Sequence, residues 1–288
     1  LGRKIHLNES DKRIMTLAGM SAAFAALFGT PMAAALFPME VISVGIMYYA
    51  ALVPCVFSAF IGEHISVLMG VRTLTAPYPV EEVPKFYGIA WGKAILLAIC
   101  FAFAGALFCV MLHIFEKQLK KWFQNPYLRV FVGGVTVVLL WKITGTDTYL
   151  GLGGGTIAQS FAEPQKLWVF LLKILFTCIT LCSGFKGGEI VPSLFIGATF
   201  GSALAPIFGM PVDICAACGM VGVFCAVTNS PISSLLIAFE LFGFAGMPYF
   251  CTVIAVSYLL SGYQSLYKAQ KIVYSKTENK YIDRNTTS

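Results

Sequence analysis

Residues 183–192 read SGFKGGEIVP, a glycine-rich stretch with one carboxylate set between two apolar runs at 167–181 and 193–208. If a helix opens near Glu189 or Ile190, its first N–H groups have no intrahelical partner, and the macrodipole adds roughly half a positive charge there. Gly187 and Gly188 let a ligand approach the main chain with no Cβ in the way. The product is an anion site made of backbone, with Gly187, Gly188, Glu189 and Ile190 as its predicted members. Glu189 is the odd component, because its carboxylate repels the ion that the N–H groups attract. Burial and like charge both favour the protonated carboxyl, so Glu189 can take up a proton as an anion arrives. The plainer alternative is that Glu189 complements the helix dipole. Ionisable groups inside a membrane are functional by default, which favours proton coupling.

The surrounding elements are those of a membrane. Of 288 residues, 58% are hydrophobic and 12% charged, and the mean hydropathy is +0.79; a soluble domain carries about 25% charged residues. No cleavable-leader pattern opens the chain, since Arg3, Lys4, His6, Asp11, Lys12 and Arg13 precede any apolar run. Apolar segments cover 14–28, 31–45, 47–70, 88–115, 127–144, 166–182, 190–209, 214–227, 231–245 and 246–262. Spanning takes about 20 helical residues, so the shorter segments read as half-membrane helices of the kind transporters place around a midplane site. Irregular backbone at that depth is tolerated only where protein or a water-filled cavity receives it.

Basic residues gather at 116–129 and 268–284, which the positive-inside rule places together in the cytoplasm with an even number of crossings between them. The loop 71–87, with three prolines, reads as solvent-exposed, 145–165 as irregular around Gly153 to Gly155, and the tail after Tyr274 as disordered. The formal charge of +6 calls for no nucleic acid. Nine cysteines lie in or beside apolar runs, and Cys215 with Cys218 form a lone CxxC, so packing is expected rather than a metal or a disulfide. No nucleophile, base and orienting group occur together, and Gly153 to Gly155 lack the Lys-Ser/Thr of a phosphate loop, so neither an enzyme nor a cofactor is expected.

Residues 19–40 (GMSAAFAALFGTPMAAALFPME) and 219–240 (GMVGVFCAVTNSPISSLLIAFE) align without a gap at an offset of 200. Identical pairs include Gly19/Gly219, Phe24/Phe224, Pro31/Pro231 and Glu40/Glu240. Each copy predicts a short helix, a polar break, then a helix with Pro in its first turn. The counterpart of the SGFKGGEIVP stretch would fall before residue 1, so the chain is expected to be a fragment lacking the first half-site. The expected organisation is 1–70 as the remainder of a first repeat, 71–87 as an extramembrane linker, 88–275 as a second repeat with the anion site, and 276–288 as a cytoplasmic tail.

The pattern SG..GG..xP resembles the third signature of the CLC family of anion channels and proton-coupled anion antiporters. AGMSAAFAALFGTPMAAALFPME resembles the helix pair after its second signature, and Ser265, Leu266 and Tyr267 resemble its C-terminal Leu-Tyr. The resemblance runs from residue 1 to about 275. It implies an all-α polytopic membrane protein with inverted-topology repeats and broken helices. It also implies a central anion held by the N–H groups of Glu189 and Ile190 and by the Tyr267 hydroxyl, with Tyr263 as the competing assignment. The family's gating glutamate, in GxEGP, and its central serine belong upstream. Two departures matter. Chloride-transporting members usually carry an apolar residue at Glu189, and chloride/proton antiporters usually carry a proton-transfer glutamate where Val41 stands.

The combination resembles the bacterial fluoride/proton antiporter branch, in which GGE is typical. A protonated Glu189 could donate directly to fluoride, the strongest hydrogen-bond acceptor among the halides. The resemblance therefore implies fluoride export coupled to protons in a bacterial inner membrane, by a homodimer with its interface around Pro31 and Pro231. The alternatives are a chloride channel or chloride/proton antiporter, and a fragment that transports nothing. Glu40 and Glu240 are read as structural, pairing with backbone or a cation at helix ends. Glu63 and His64 are placed at the membrane surface and His113 at the interface. Lys186 either draws anions in or snorkels to water.

Overall fold

The computed structural model describes residues 7–71, 78, 80, 81 and 83–286. Arg3, Lys4, His6 and Glu82 lie outside them. Among the described residues the helices are α1 (Glu9–Phe28), α2 (Pro31–Val41), α3 (Leu52–Leu68), α4 (Ile89–Trp122), α5 (Pro126–Thr144), α6 (Gly154–Ala162), α7 (Trp168–Ser183), α8 (Ile190–Phe208), α9 (Val212–Thr228), α10 (Pro231–Phe242) and α11 (Met247–Leu260). The protein is mostly helical, with a small sheet of β1 (Ser43–Val44), β2 (Lys271–Tyr274) and β3 (Tyr281–Asn285). β1 runs parallel to β2, and β2 antiparallel to β3.

Among the described residues four helical stretches, 49–68 and the whole of α4, α5 and α8, are long and apolar enough to cross a bilayer. α5 decides the environment. Only 6% of its apolar window is buried within the chain, leaving Phe131, Val138 and Leu139 exposed, and such a surface needs lipid to cover it. α8 is the opposite case, 83% buried, and lies at the centre. The helices α2, α7, α9, α10 and α11 are apolar but short of a full span.

The repeat is visible down to its dihedral angles. α1 ends at Gly29 (φ 66°, ψ 32°) and α9 at Asn229 (φ 57°, ψ 35°), both left-handed. Thr30 (φ −127°, ψ 74°) and Ser230 (φ −120°, ψ 74°) then lead into Pro31 and Pro231, each the first residue of its helix. The two helices that follow, α2 and α10, cap each other. Glu240 accepts from the N–H groups of Met32 (2.8 Å) and Ala33 (2.9 Å). Glu40 accepts from the N–H groups of Ile232 (2.9 Å) and Ser233 (2.8 Å) and from the Ser233 hydroxyl (2.6 Å). Each carboxylate thus sits on the positive end of the helix in the other repeat.

α8 and α9 pack through glycine. A Cβ at Gly197 would meet the carbonyl of Gly219, and one at Gly201 the carbonyl of Cys215, the close approach that small residues allow between membrane helices. Cys215 and Cys218 are buried.

Several expectations need correcting. The tail is not disordered, since residues 271–285 form the β2–β3 hairpin. Lys276 anchors it by donating to Asn229 Oδ1 (2.5 Å), the Tyr258 carbonyl (2.8 Å) and Ser261 Oγ (3.1 Å). A composition of Lys, Asn and Thr hides strands whose partner, β1, lies far upstream. Region 145–165 is not all irregular, because α6 occupies part of it. Within 71–87, Val71, Glu81, Lys85 and Tyr87 are exposed as expected, while Tyr78 stacks on Phe161 at 4.5 Å and Phe86 meets Tyr249 edge-on at 4.7 Å. His113, expected at the membrane interface, is buried within the protein at 7% exposure. The two basic segments do come together, because Lys268 pairs with Glu116 at 2.6 Å.

Candidate anion site

α7 stops at Ser183 because Gly184 (φ 114°) turns the chain into the left-handed region. Residues 185–188 are irregular, and Ile190 starts α8 with Glu189 as its N-cap. The first i→i−4 bond of α8 is Ser193 N–H to the Glu189 carbonyl, at 3.1 Å. The N–H groups of Ile190 and Val191 therefore precede the helical ladder, and Pro192 has none to satisfy. α1 and α5 begin on capping asparagines, and α2 and α10 on glutamates from the opposite repeat. No side-chain cap closes α8.

Glu189 supplies the carboxylate, at the N-cap of α8 and partly buried. Gly187 and Gly188 differ in what they allow. A Cβ at Gly187 would come within 2.9 Å of Leu181, whereas at Gly188 it would meet nothing within 4 Å. Packing explains the first glycine, and open approach to the main chain remains as the use of the second.

Tyr267 lies on the segment after α11, partly buried against the main core, and close enough to Glu189 for that charge to act on its hydroxyl. Tyr263 is engaged elsewhere, its hydroxyl 3.1 Å from Ser275 Oγ and its ring under Arg284. Gly187 and Gly188 line one cavity at the start of α8, directly ahead of Glu189 and Ile190, whereas Tyr263 belongs with the hairpin. Lys186 is exposed, His64 is exposed and Glu63 partly so.

Lys173 escapes a reading by averaged hydropathy. It is 1% exposed, donates to the carbonyls of Tyr149 (3.2 Å) and Gly151 (2.8 Å), and sits 4.7 Å over the Phe195 ring. It lines one cavity of about 290 Å³ together with Gly187, Gly188 and Pro192. Among the described residues no carboxylate pairs with it. Its signal was an ionisable residue inside an apolar run.

The arrangement is an uncapped helix start, a carboxylate at its N-cap, a tyrosine on the segment after α11 and a buried lysine that pairs with no carboxylate among the described residues. A family model described as "Voltage gated chloride channel" matches residues 1–262. The chain belongs to the voltage-gated chloride channel (CLC) family. Among CLC-related proteins, a chloride/fluoride channel protein of Pseudomonas syringae pv. tomato is 37% identical over 276 residues, 94% of this chain and 61% of the relative. A putative ion-transport protein YfeO of Salmonella newport is 29% identical over 267 residues, covering 89% and 64%. The crystal structure of a CLC-type fluoride/proton antiporter superimposes with a TM-score of 0.84 at 33% identity, over 90% of this chain and 65% of that one. A slow cyanobacterial Cl−/H+ antiporter gives 0.73 at 20% identity, over 90% and 64%, a likeness of fold alone. The chain spans less than two thirds of the length of each of these relatives.

Proposed function

We propose that the protein moves fluoride out of a bacterial cell through the plasma membrane in exchange for protons. The observation that carries this reading is the Glu189 carboxylate at the N-cap of α8, next to its own N–H donor at a helix start that no side chain caps. Ionised, it competes with an incoming anion for that donor. Protonated, it frees the N–H and presents an O–H donor of its own, so anion arrival and proton uptake relieve one another's charge. Fluoride gains most from the exchange, because it is the strongest acceptor among the halides and compact enough to share two short donors. Gly187, Gly188, Glu189, Ile190 and Tyr267 are the proposed anion ligands, and Glu189 the proposed proton-coupling group. The 33% identity to a CLC-type fluoride/proton antiporter supports this choice. A homodimer joined near Pro31 and Pro231, with one pathway per subunit, is part of the proposal.

The test is transport by the full-length protein in liposomes, with a fluoride electrode and an internal pH dye. Fluoride efflux should draw protons inward. Glu189→Gln should slow coupled exchange about a hundredfold, the scale of a lost proton-transfer group. Fluoride leaking with no proton movement counts decisively against the proposal. The chloride alternative predicts that Glu189→Gln leaves chloride flux largely intact.

A further inference from the structure

Tyr267 lies in the middle of segment 264–270, and the side chain of Asn229 grips that segment at both ends. Its Nδ2 donates to the Gln264 carbonyl and to Gln270 Oε1, each at 2.9 Å. The orientation of the amide is fixed, because the Lys276 ammonium on Oδ1 can only donate. Asn229 is 1% exposed and Gln270 2%. Gln270 passes the grip on, its Nε2 donating to the carbonyls of Val41 and Thr228, each at 2.7 Å. These are the last residues of α2 and α9, whose end carbonyls lack intrahelical partners. One side-chain amide therefore closes a helix end in each repeat.

Between the gripped ends, Tyr267 has both main-chain groups held. Its N–H donates to Ser265 Oγ at 3.1 Å. Its carbonyl accepts from the Gln270 N–H at 3.0 Å and from the Thr286 hydroxyl at 3.0 Å. Thr286 follows β3, and its own N–H returns to the Gln270 carbonyl at 3.0 Å, so the hairpin folds back onto the tyrosine it follows.

Backbone geometry singles out Asn229. At the matching turn of the first repeat stands Gly29, with nearly the same left-handed angles. Glycine takes that conformation without strain and asparagine at a cost. The backbone alone thus favours glycine at 229, and what asparagine adds is a side-chain amide whose bonds run to segment 264–270 and to the hairpin.

We propose that Asn229, acting with Gln270, is a positioning residue for the anion site, holding Tyr267 in register with the ends of α2 and α9. The assignment rests on the reading of Tyr267 as an anion ligand.

Calorimetric titration of the full-length protein in detergent with sodium fluoride tests it. Tyr267→Phe should weaken fluoride binding about tenfold, the scale of one lost hydrogen bond to a charged group. Asn229→Gly keeps the backbone conformation of the first copy and removes the grip. It should weaken binding about fivefold, the scale of coupling within one hydrogen-bond network. In the double variant the loss should stay at that of Tyr267→Phe alone, because position is of no use once the hydroxyl is gone. A merely structural Asn229 would lower the melting temperature and leave fluoride affinity unchanged, or add its loss in full to that of Tyr267→Phe. Either result overturns the positioning role. Thr286→Val removes only the hydroxyl on the Tyr267 carbonyl, and puts the same question to both backgrounds if Asn229→Gly does not fold. Wild-type affinity in Tyr267→Phe overturns instead the assignment of Tyr267 as a ligand, and is seen before any Asn229 variant is made.

Discussion

Lys173 brings a full positive charge into the protein with main-chain carbonyls and a ring face as its partners, and it borders the same cavity as Gly187 and Gly188. A buried ammonium costs several kcal/mol to desolvate, which only structure or function can justify. If its field concentrates anions at the start of α8, Lys173→Met should lower fluoride turnover about tenfold and weaken its dependence on ionic strength. A purely structural lysine would lower the melting temperature instead, leaving turnover per folded molecule unchanged. The same residue marks the limit of legibility at this scale. SGFKGGEIVP announces its chemistry because glycines and a carboxylate have few other uses at that depth. Averaging over an apolar run, by contrast, erases a single lysine. That Nε2 of His113 is buried with no hydrogen-bond partner among the described residues could not be read from sequence at all, because it depends on which carbonyl the other nitrogen meets.

The reciprocal caps of α2 and α10 carry the argument among the elements. The Gly, Pro and Glu of the repeat were legible from their spacing, and so was a structural role for the glutamates. The exchange between repeats was not, since no local pattern announces a bond between residues some two hundred positions apart. Glu40 is buried with three donors, whereas Glu240 is partly exposed with two. Removing either leaves helix N–H groups unanswered, at about 1.5–3 kcal/mol per charged bond before relaxation. Glu40→Ala should therefore destabilise the protein more than Glu240→Ala, by detergent-resistant thermal unfolding. Equal losses would argue that the caps do not bear on stability in proportion to their burial. Glycine packing gives a companion test. Gly201→Leu forces α8 from the Cys215 carbonyl, and overpacking of this kind costs about 1–3 kcal/mol or more.

Across the whole molecule, the ends of α4 and of the chain meet on one face. Sequence indicated this through charge alone, since both basic segments obey one rule about membrane sidedness. The structure adds contacts: Lys268 to Glu116, and Lys276 into the corner where α9 gives way to α10. The hairpin was hidden because its strands are short and polar and borrow their sheet from β1. Two exposed positions report the sidedness, Lys121 at the end of α4 and Glu278 in the turn between β2 and β3. In oriented vesicles, Lys121→Cys and Glu278→Cys should react with an impermeant maleimide from the same side, the cytoplasmic one. Labelling from opposite sides would require an odd number of crossings between them. The pairing of Lys268 with Glu116 forbids this, because a salt bridge of 2.6 Å cannot reach across a bilayer core about 30 Å thick.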